Sequence, residues 1–269
     1  LRQGLSVKKE EAQDKKNEAE YLRGLLASRR AAVNVEKKDR QELLRDTKNK
    51  EKEYQELVED LEERRRALSE EVREIEDKIR VTIDPSSLPS KGSGVLGWPL
   101  PNVLLGSCWE RKIDIKEKIN CITQYFGYTS FAKVGGYGGK GHNGLDLRAQ
   151  VGTPVFATEG GIVKAVGDTD LGCRRASYGK WILIDHPNNL STLYAHLADI
   201  SISAGKEVGR GERIGLSGQT GFATGPHLHF AVFATPAVRI ESIRSRVCRR
   251  LMTLPLAAVS GYLDPLDYL

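Results

Sequence analysis

In the first 80 positions, apolar residues recur at a spacing of seven. One row runs Leu5, Ala12, Ala19, Leu26, Val33, Arg40, Thr47, Tyr54, Leu61, Leu68, Ile75, and nine of its eleven members are apolar, Ala and Tyr included. A patchier row beside it holds Leu22, Leu43 and Leu57, with Val72 and Ile79 on its flank. The stretch has no proline, and its only glycines are Gly4 and Gly24. A sustained heptad with charged flanks predicts an α-helical coiled coil over residues 1–82. The seam is narrow and turns polar between Asn34 and Arg40. The segment therefore reads as a bent helical hairpin or as a helix that needs a coiled-coil partner or a second copy of itself. A lone solvated helix fits less well, because so long a helix must bury its seam somewhere.

The pattern breaks after Arg80. Residues 83–97 hold Asp84-Pro85, Leu88-Pro89 and the run Ser90-Lys91-Gly92-Ser93-Gly94. Proline and glycine at that density predict a linker. From residue 98 onward short alternating or apolar runs are divided by glycine-rich turns: 121–126, 154–157, 162–166, 181–185, 192–197, 213–216 and 229–233. Many short strands at close spacing predict a mostly β domain of antiparallel sheets over residues 98–269. Residues 236–269 are less regular, and Tyr262-Leu263-Asp264-Pro265-Leu266 reads as a terminal segment docked on that domain.

Charge separates the same two regions. Residues 1–80 carry 21 basic and 21 acidic side chains, so the whole net charge of +5 lies in the remainder. A mildly basic domain suits an anionic polymer, although an ordinary basic surface explains it equally well. The four cysteines, Cys108, Cys121, Cys173 and Cys248, all follow residue 100 and form no C-x-x-C pair, which argues against a finger-type zinc site. Local pairing, Cys108–Cys121 with Cys173–Cys248, is the preferred arrangement. Either bond would place the domain in an oxidising compartment, whereas four reduced thiols would suit a cytoplasmic enzyme. No apolar run approaches the roughly 18 residues of a membrane helix. The chain opens on Leu1 and has its one methionine at Met252, so it reads as a fragment or processed form. Any signal peptide, and any membrane contact, would belong to a segment upstream.

The chemistry is concentrated in five histidines, all between positions 142 and 229. Four occur as Gly-His142-Asn-Gly-Leu-Asp146, Tyr-Ala-His196-Leu and Pro-His227-Leu-His229-Phe. Neutral imidazole is the commonest zinc ligand, and a carboxylate completes such sites. His227 and His229 stand two apart in a predicted strand, on one face and roughly 6–7 Å apart along the backbone. Both could bind one ion, or one could bind while the other stands next to the water. His142 and Asp146 are four apart, about 13 Å in a straight strand, too far to share an ion. Gly141 and Asn143-Gly144 disfavour helix. The backbone is therefore expected to bend at Gly144 so that both side chains converge. His186, in Asp185-His186-Pro187-Asn188, opens a turn and reads as structural.

Residues 98–234 resemble the lysostaphin/LytM-type zinc endopeptidases, the glycyl-glycine endopeptidase family. The matching motifs, in the family's order, are His142-x-Gly144-x-Asp146, Gly152-Thr153-Pro154-Val155, Leu193-Tyr194-Ala195-His196-Leu197, and Gly218-x-Thr220-Gly221-x-x-Thr224-Gly225-Pro226-His227-Leu228-His229-Phe230. The resemblance implies a β-sheet groove with one Zn2+ on its floor, bound by His142, Asp146 and His229, and with His196 and His227 beside the catalytic water and the scissile carbonyl. Three protein ligands leave the open position of a catalytic zinc, which supplies hydroxide at neutral pH. The chain has no H-E-x-x-H glutamate, so the two histidines must serve as base and acid. The implied activity is a secreted metalloprotease, a hydrolase that cuts peptide cross-links or stem peptides of peptidoglycan in the bacterial cell envelope, periplasm or cell wall.

Some features carry less. Tyr137 is a candidate substrate or oxyanion donor beside the plainer reading of a groove-edge tyrosine. The loop Gly135–Gly141 lacks the Lys-Ser/Thr ending of a phosphate-binding loop and reads as a groove wall. Arg239, Arg244, Arg246, Arg249 and Arg250 read as a solvated basic surface, and no nucleic-acid motif is present. A coiled coil before such a domain also resembles the murein hydrolase activators, non-catalytic or weakly catalytic partners of cell-wall amidases in division. Intact positions 142, 146, 196, 227 and 229 favour the enzyme.

Overall fold

The computed structural model describes residues 2–113, 119–133 and 141–269, and some side chains before residue 36 and at 130–131 lie outside the description. Tyr137 and most of the glycine-rich loop before His142 fall outside the described residues. Two compact units are present, Leu1–Leu61 and Glu62–Leu269.

A single helix, α1 (Arg2–Glu76), replaces the hairpin alternative. In the first unit the described seam residues Leu26, Val33, Leu43, Tyr54 and Leu57 are all more than half exposed. Among the described residues no helix is long and apolar enough to cross a membrane.

The second unit begins at Glu62, inside the helix, for a physical reason. Leu68 and Ile79 are buried in a cluster with Cys173, Tyr178, Trp181, Leu254 and Leu256. The Glu71 carboxylate accepts from the Ser245 hydroxyl at 2.9 Å and the Arg246 amide at 2.7 Å. The stretch 83–97 is held to the domain as well. Leu96 is buried, Leu88 and Val95 pack on the core, and the Leu96 and Gly97 amides donate to the Tyr268 and Thr158 carbonyls.

The strands are β1 (Val103–Ser107), β2 (Asn120–Gln124), β3 (Leu145–Arg148), β4 (Pro154–Phe156), β5 (Gly161–Asp168), β6 (Lys180–Asp185), β7 (Leu190–Ile200), β8 (Glu207–Val208), β9 (Arg213–Ser217), β10 (His227–Ala234), β11 (Val238–Arg244), β12 (Leu251–Ala257) and β13 (Tyr262–Leu263). Among the described residues eleven join one sheet in the order β1-β2-β3-β10-β7-β6-β5-β8, with β13 on β10 and β9 linking β4 to β7. Pairing is antiparallel except between β1 and β2. Residues 236–269 are more regular than their composition suggests, because β11 and β12 form a hairpin of their own.

Both faces of the central strands are covered, so those strands read as nearly continuous apolar runs. On β10, Leu228, Phe230 and Val232 enter one cluster with Leu145, Leu147, Ile182 and Tyr194. Ala231 and Phe233 enter the other, which is closed by the β11–β12 hairpin and the last turns of α1. His227 and His229 stand on this second face, in line with Ala231 and Phe233. Both cysteine pairs are bonded as expected, Cys108–Cys121 and Cys173–Cys248, with Cα–Cα separations of 5.4 and 5.5 Å.

Candidate metal centre

The site is assembled by strand register. On β3 and β10, Asp146 lies directly opposite His229. Directly opposed residues share a face. His229 Nδ1 sits 2.9 Å from Asp146 Oδ1, and His227 Nε2 lies 3.8 Å from the same oxygen. His142 arrives through an isolated bridge to Gly127, and the chain bends at Asn143-Gly144 before β3 begins. The bend brings His142 Nε2 to 3.3 Å from Asp146 Oδ1 and 3.2 Å from His229 Nδ1.

The expected bend is present, but its glycine serves another purpose. Gly144 does not need a left-handed backbone. A Cβ there would lie 2.7 Å from His229 Cε1 and from the Phe230 carbonyl oxygen. The glycine is a seat for the His229 ring.

His196 required a second irregularity. Ala195 stands opposite His229, so regular alternation would turn His196 to the other face of β7. The register between β6 and β7 slips between Lys180 and Ile182, so that one extra residue is accommodated on β7. His196 takes a left-handed backbone there, φ +61°. This is a strand bulge, and it re-aims the side chain. The His196 ring then comes within 4.7 Å of the His227 ring and 5.9 Å of the His229 ring, centroid to centroid.

Backbone carbonyls fix the tautomers. A carbonyl only accepts, so the ring nitrogen facing it carries the proton. His142 Nδ1 donates to Tyr125 O at 3.0 Å, His196 Nδ1 to Thr220 O at 2.8 Å, and His227 Nδ1 to Gly225 O at 2.8 Å. In the neutral imidazole each Nε2 keeps its lone pair. Two of these three carbonyls come from residues 218–226, which Asp170 pins by accepting the Gly221 amide at 2.9 Å.

Electrostatics follow from burial and proximity. Burial pushes the Asp146 carboxyl up, but His142 and His229 outweigh it and hold the group well below the usual carboxylate range. Burial, followed by the fields of His227 and His229, drives His196 well below the ordinary histidine value. Burial lowers His229 too, against the pull of Asp146.

His142, Asp146 and His229 each offer an atom within 4.8 Å of the others, a group able to hold a metal ion. The donor chemistry fits zinc: two imidazole nitrogens and one carboxylate oxygen, at least two of them without a proton. The His142 Nε2 lone pair faces the Asp146 carboxylate, an arrangement that a cation between them would satisfy. Residues 196 and 227 stand beside this group. His186 does not join it: Nδ1 donates to Gly160 O at 2.9 Å and Nε2 meets the Thr192 hydroxyl at 2.8 Å. Sequence reasoning passed over Tyr178, whose ring lies 5.8 Å from that of His229 and whose hydroxyl accepts from Asn143 at 3.1 Å. The Tyr178-Gly179 turn was the only signal.

Comparison with known proteins bears on this stretch of chain. Residues 140–239 match Peptidase family M23. The peptidoglycan DD-endopeptidase ShyA of Vibrio cholerae is 43% identical over 90 residues, 33% of this chain and 19% of that protein. The DD-carboxypeptidase/endopeptidase Mpg of Neisseria meningitidis is 44% identical over 89 residues, again 33% of this chain and 19% of that protein. The chain thus spans about a fifth of the length of the curated relatives it matches. Among solved structures, a zinc-containing peptidase from Vibrio cholerae is 32% identical at a TM-score of 0.37, covering 49% of this chain and 35% of the other.

Proposed function

We propose, from the premise that residues 140–239 are a Peptidase family M23 domain, that this chain is a zinc-dependent endopeptidase acting on peptidoglycan peptides. The observation that carries the reading is the convergence of His142, Asp146 and His229 with His196 and His227 beside them. His142 Nε2, Asp146 Oδ1 and His229 Nδ1 would hold the ion. Bound there, zinc lowers the pKa of water toward about 7 and polarises a peptide carbonyl.

The side chains of this protein do the rest. His196 and His227 each commit an Nδ1 proton to a main-chain carbonyl, that of Thr220 and that of Gly225. An unprotonated Nε2 takes the proton of the attacking water as its oxygen bonds to the scissile carbon. The resulting imidazolium stabilises the negative charge on the carbonyl oxygen and returns the proton to the leaving amine as the C–N bond breaks. Asp146, held ionised, offsets the charge of the site.

The relatives are named for D,D-endopeptidase activity, so a D,D-peptide cross-link is the first bond to test, ahead of a glycine bridge or another stem-peptide bond. Two disulfides and a peptidoglycan substrate fit an extracytoplasmic site in the bacterial envelope. The exposed seam residues Leu26, Val33, Leu43, Tyr54 and Leu57 of α1 fit a coiled-coil partner or a second copy of the chain. A non-catalytic activator of amidases is not favoured, because the cluster is complete. The purified chain should bind about one zinc and release soluble peptides from peptidoglycan. His142→Ala should abolish both. A zinc-free native protein, or an equally active His142→Ala variant, removes the enzymatic reading.

A further inference from the structure

α1 docks on the β domain by one face. Leu68, Val72, Ile75 and Ile79 recur at the three- and four-residue spacing of a helix stripe, and all four pack in the cluster that holds Tyr178, Ala231 and Phe233. Arg65, three residues before Leu68, continues that stripe. An arginine is out of place there. Its Nε is buried and meets no hydrogen-bond partner among the described residues, which is costly. What faces it is a ring: the guanidinium carbon lies 4.6 Å from the centroid of Phe222. An aromatic face attracts a cation at that distance, and more strongly where water is kept off.

Phe222 lies inside the segment 218–226, whose Thr220 and Gly225 carbonyls accept from His196 and His227. The two ends of that segment are held unequally. The Thr220 hydroxyl donates to the Leu197 carbonyl at 2.8 Å and accepts from the Lys180 amide at 3.0 Å. The Gly221 amide donates to Asp170, and Gly221 lies so close to the next turn that a Cβ would stand 2.2 Å from the Gly179 nitrogen. The Phe222 amide donates to the Ser177 carbonyl at 2.8 Å. Beyond Phe222 the hold weakens. The Ala223 amide bonds only back to Gly221, at 3.1 Å, and Thr224 is exposed. A Cβ on Gly225 would meet nothing within 4 Å. Phe222 is therefore the last large side chain before the carbonyl that orients His227.

We infer that Arg65 is a positioning residue for His227: its guanidinium holds the Phe222 ring, and the ring fixes the stretch that presents the Gly225 carbonyl to His227 Nδ1. The inference rests on the reading of His227 as a proton-transferring group of a zinc peptidase. It makes α1 a working part of the site, although the helix contributes no ligand. The contact serves turnover rather than metal binding, because the carbonyls of this segment hold His196 and His227, whereas the ligand His142 is held by Tyr125.

The test uses the full chain, with zinc affinity read by chelator competition and kcat and KM measured on a defined cross-linked muropeptide. Contacts of this kind are worth about 2–30-fold in an equilibrium. Arg65→Met keeps an unbranched, helix-favouring side chain and removes the cation. It should lower kcat by about 5-fold, with KM and zinc affinity within about 2-fold of native. Phe222→Leu should lower kcat at least as far, and Phe222→Tyr, which keeps the ring face, should stay within about 2-fold of native. Since Arg65 acts through the ring, Arg65→Met should change kcat by less than about 2-fold once Phe222 is leucine. A folded Arg65→Met protein with native kcat overturns the inference alone. So does an equal loss from Arg65→Met with and without the ring, or a parallel loss of zinc affinity and kcat, which marks a general loosening of the domain. If Phe222→Leu fails to fold, Arg65→Met still decides. A native zinc-loaded chain that leaves the muropeptide intact overturns the proposed function and this inference with it.

Discussion

Replacing Gly144 by alanine adds one methyl group, and its consequences can be worked through from the geometry. The new Cβ would meet His229 Cε1 and the Phe230 carbonyl at 2.7 Å and His229 Nε2 at 2.8 Å. Ordinary carbon contacts need about 3.5–4.0 Å, so something must move by roughly an ångström. Phe230 O belongs to β10 in the middle of the sheet, between β3 and β7, and cannot yield cheaply. The His229 ring is therefore the part that shifts. Metal-ligand distances tolerate only about ±0.2 Å, so zinc affinity should fall by at least ~10-fold. A misplacement of about 1 Å at a reacting site costs on the order of 100-fold in turnover. Overpacking should also cost about 1–3 kcal/mol of stability. The backbone itself does not refuse alanine, because Gly144 is outside the left-handed region. The whole effect thus runs through the Cβ. The assay is zinc affinity by chelator competition alongside thermal melting, with Gly209→Ala as control, since a Cβ there meets nothing within 4 Å. A Gly144→Ala protein that binds zinc like the native chain refutes the argument that this glycine seats His229.

Other residues give independent checks. His196→Gly should relieve a left-handed backbone but remove a buried ring and the donor to the Thr220 carbonyl, so stability should fall by about 1–3 kcal/mol in chemical denaturation while turnover falls by roughly 10²–10⁴-fold. His186→Gln should leave zinc affinity unchanged and cost about 1–3 kcal/mol, because it disturbs a buried hydrogen-bonded pair outside the site. Glu76 predicts a pH dependence. Burial is the main cause that raises its carboxyl from 4.5 to about 7. Between those values the folded state binds more protons than the unfolded state, so this group favours folding fully below pH 4.5 and loses that contribution as pH rises through about 7. Glu76→Gln should therefore gain stability relative to the native chain across that window, by an amount on the order of 3 kcal/mol at most. Unfolding curves at several pH values would show a flat difference if the carboxyl is not shifted.

Much of this was legible in the chain, for reasons tied to particular residues. The seven strand runs stood out because both sheet faces are covered, which makes stretches such as Trp181–Ile184 apolar throughout. The β11–β12 hairpin did not stand out, because Arg239, Glu241 and Arg244 interrupt its first strand and Pro255 its second. The spacing of His142 and Asp146 required a bend, and one is present. It did not reveal that Gly144 makes room for a ring from a strand more than 80 residues away. His196 was placed by resemblance, since strand alternation alone turns it away from His229 and only the bulge restores it. The heptad row identified α1 as a helix. It gave no sign that Leu68 leaves the seam to join the β domain, or that Glu76 meets Tyr262, because contacts that distant in sequence leave no local pattern.

The most direct test of the central claim is mass spectrometry of a defined cross-linked muropeptide incubated with the zinc-loaded chain and with His229→Ala. The account predicts that the native chain converts the dimer to two monomers with one water added across a single peptide bond, and that His229→Ala leaves the dimer intact. Intact cross-links in the presence of a zinc-loaded chain, or peptides freed from the glycan with their cross-links uncut, would contradict it.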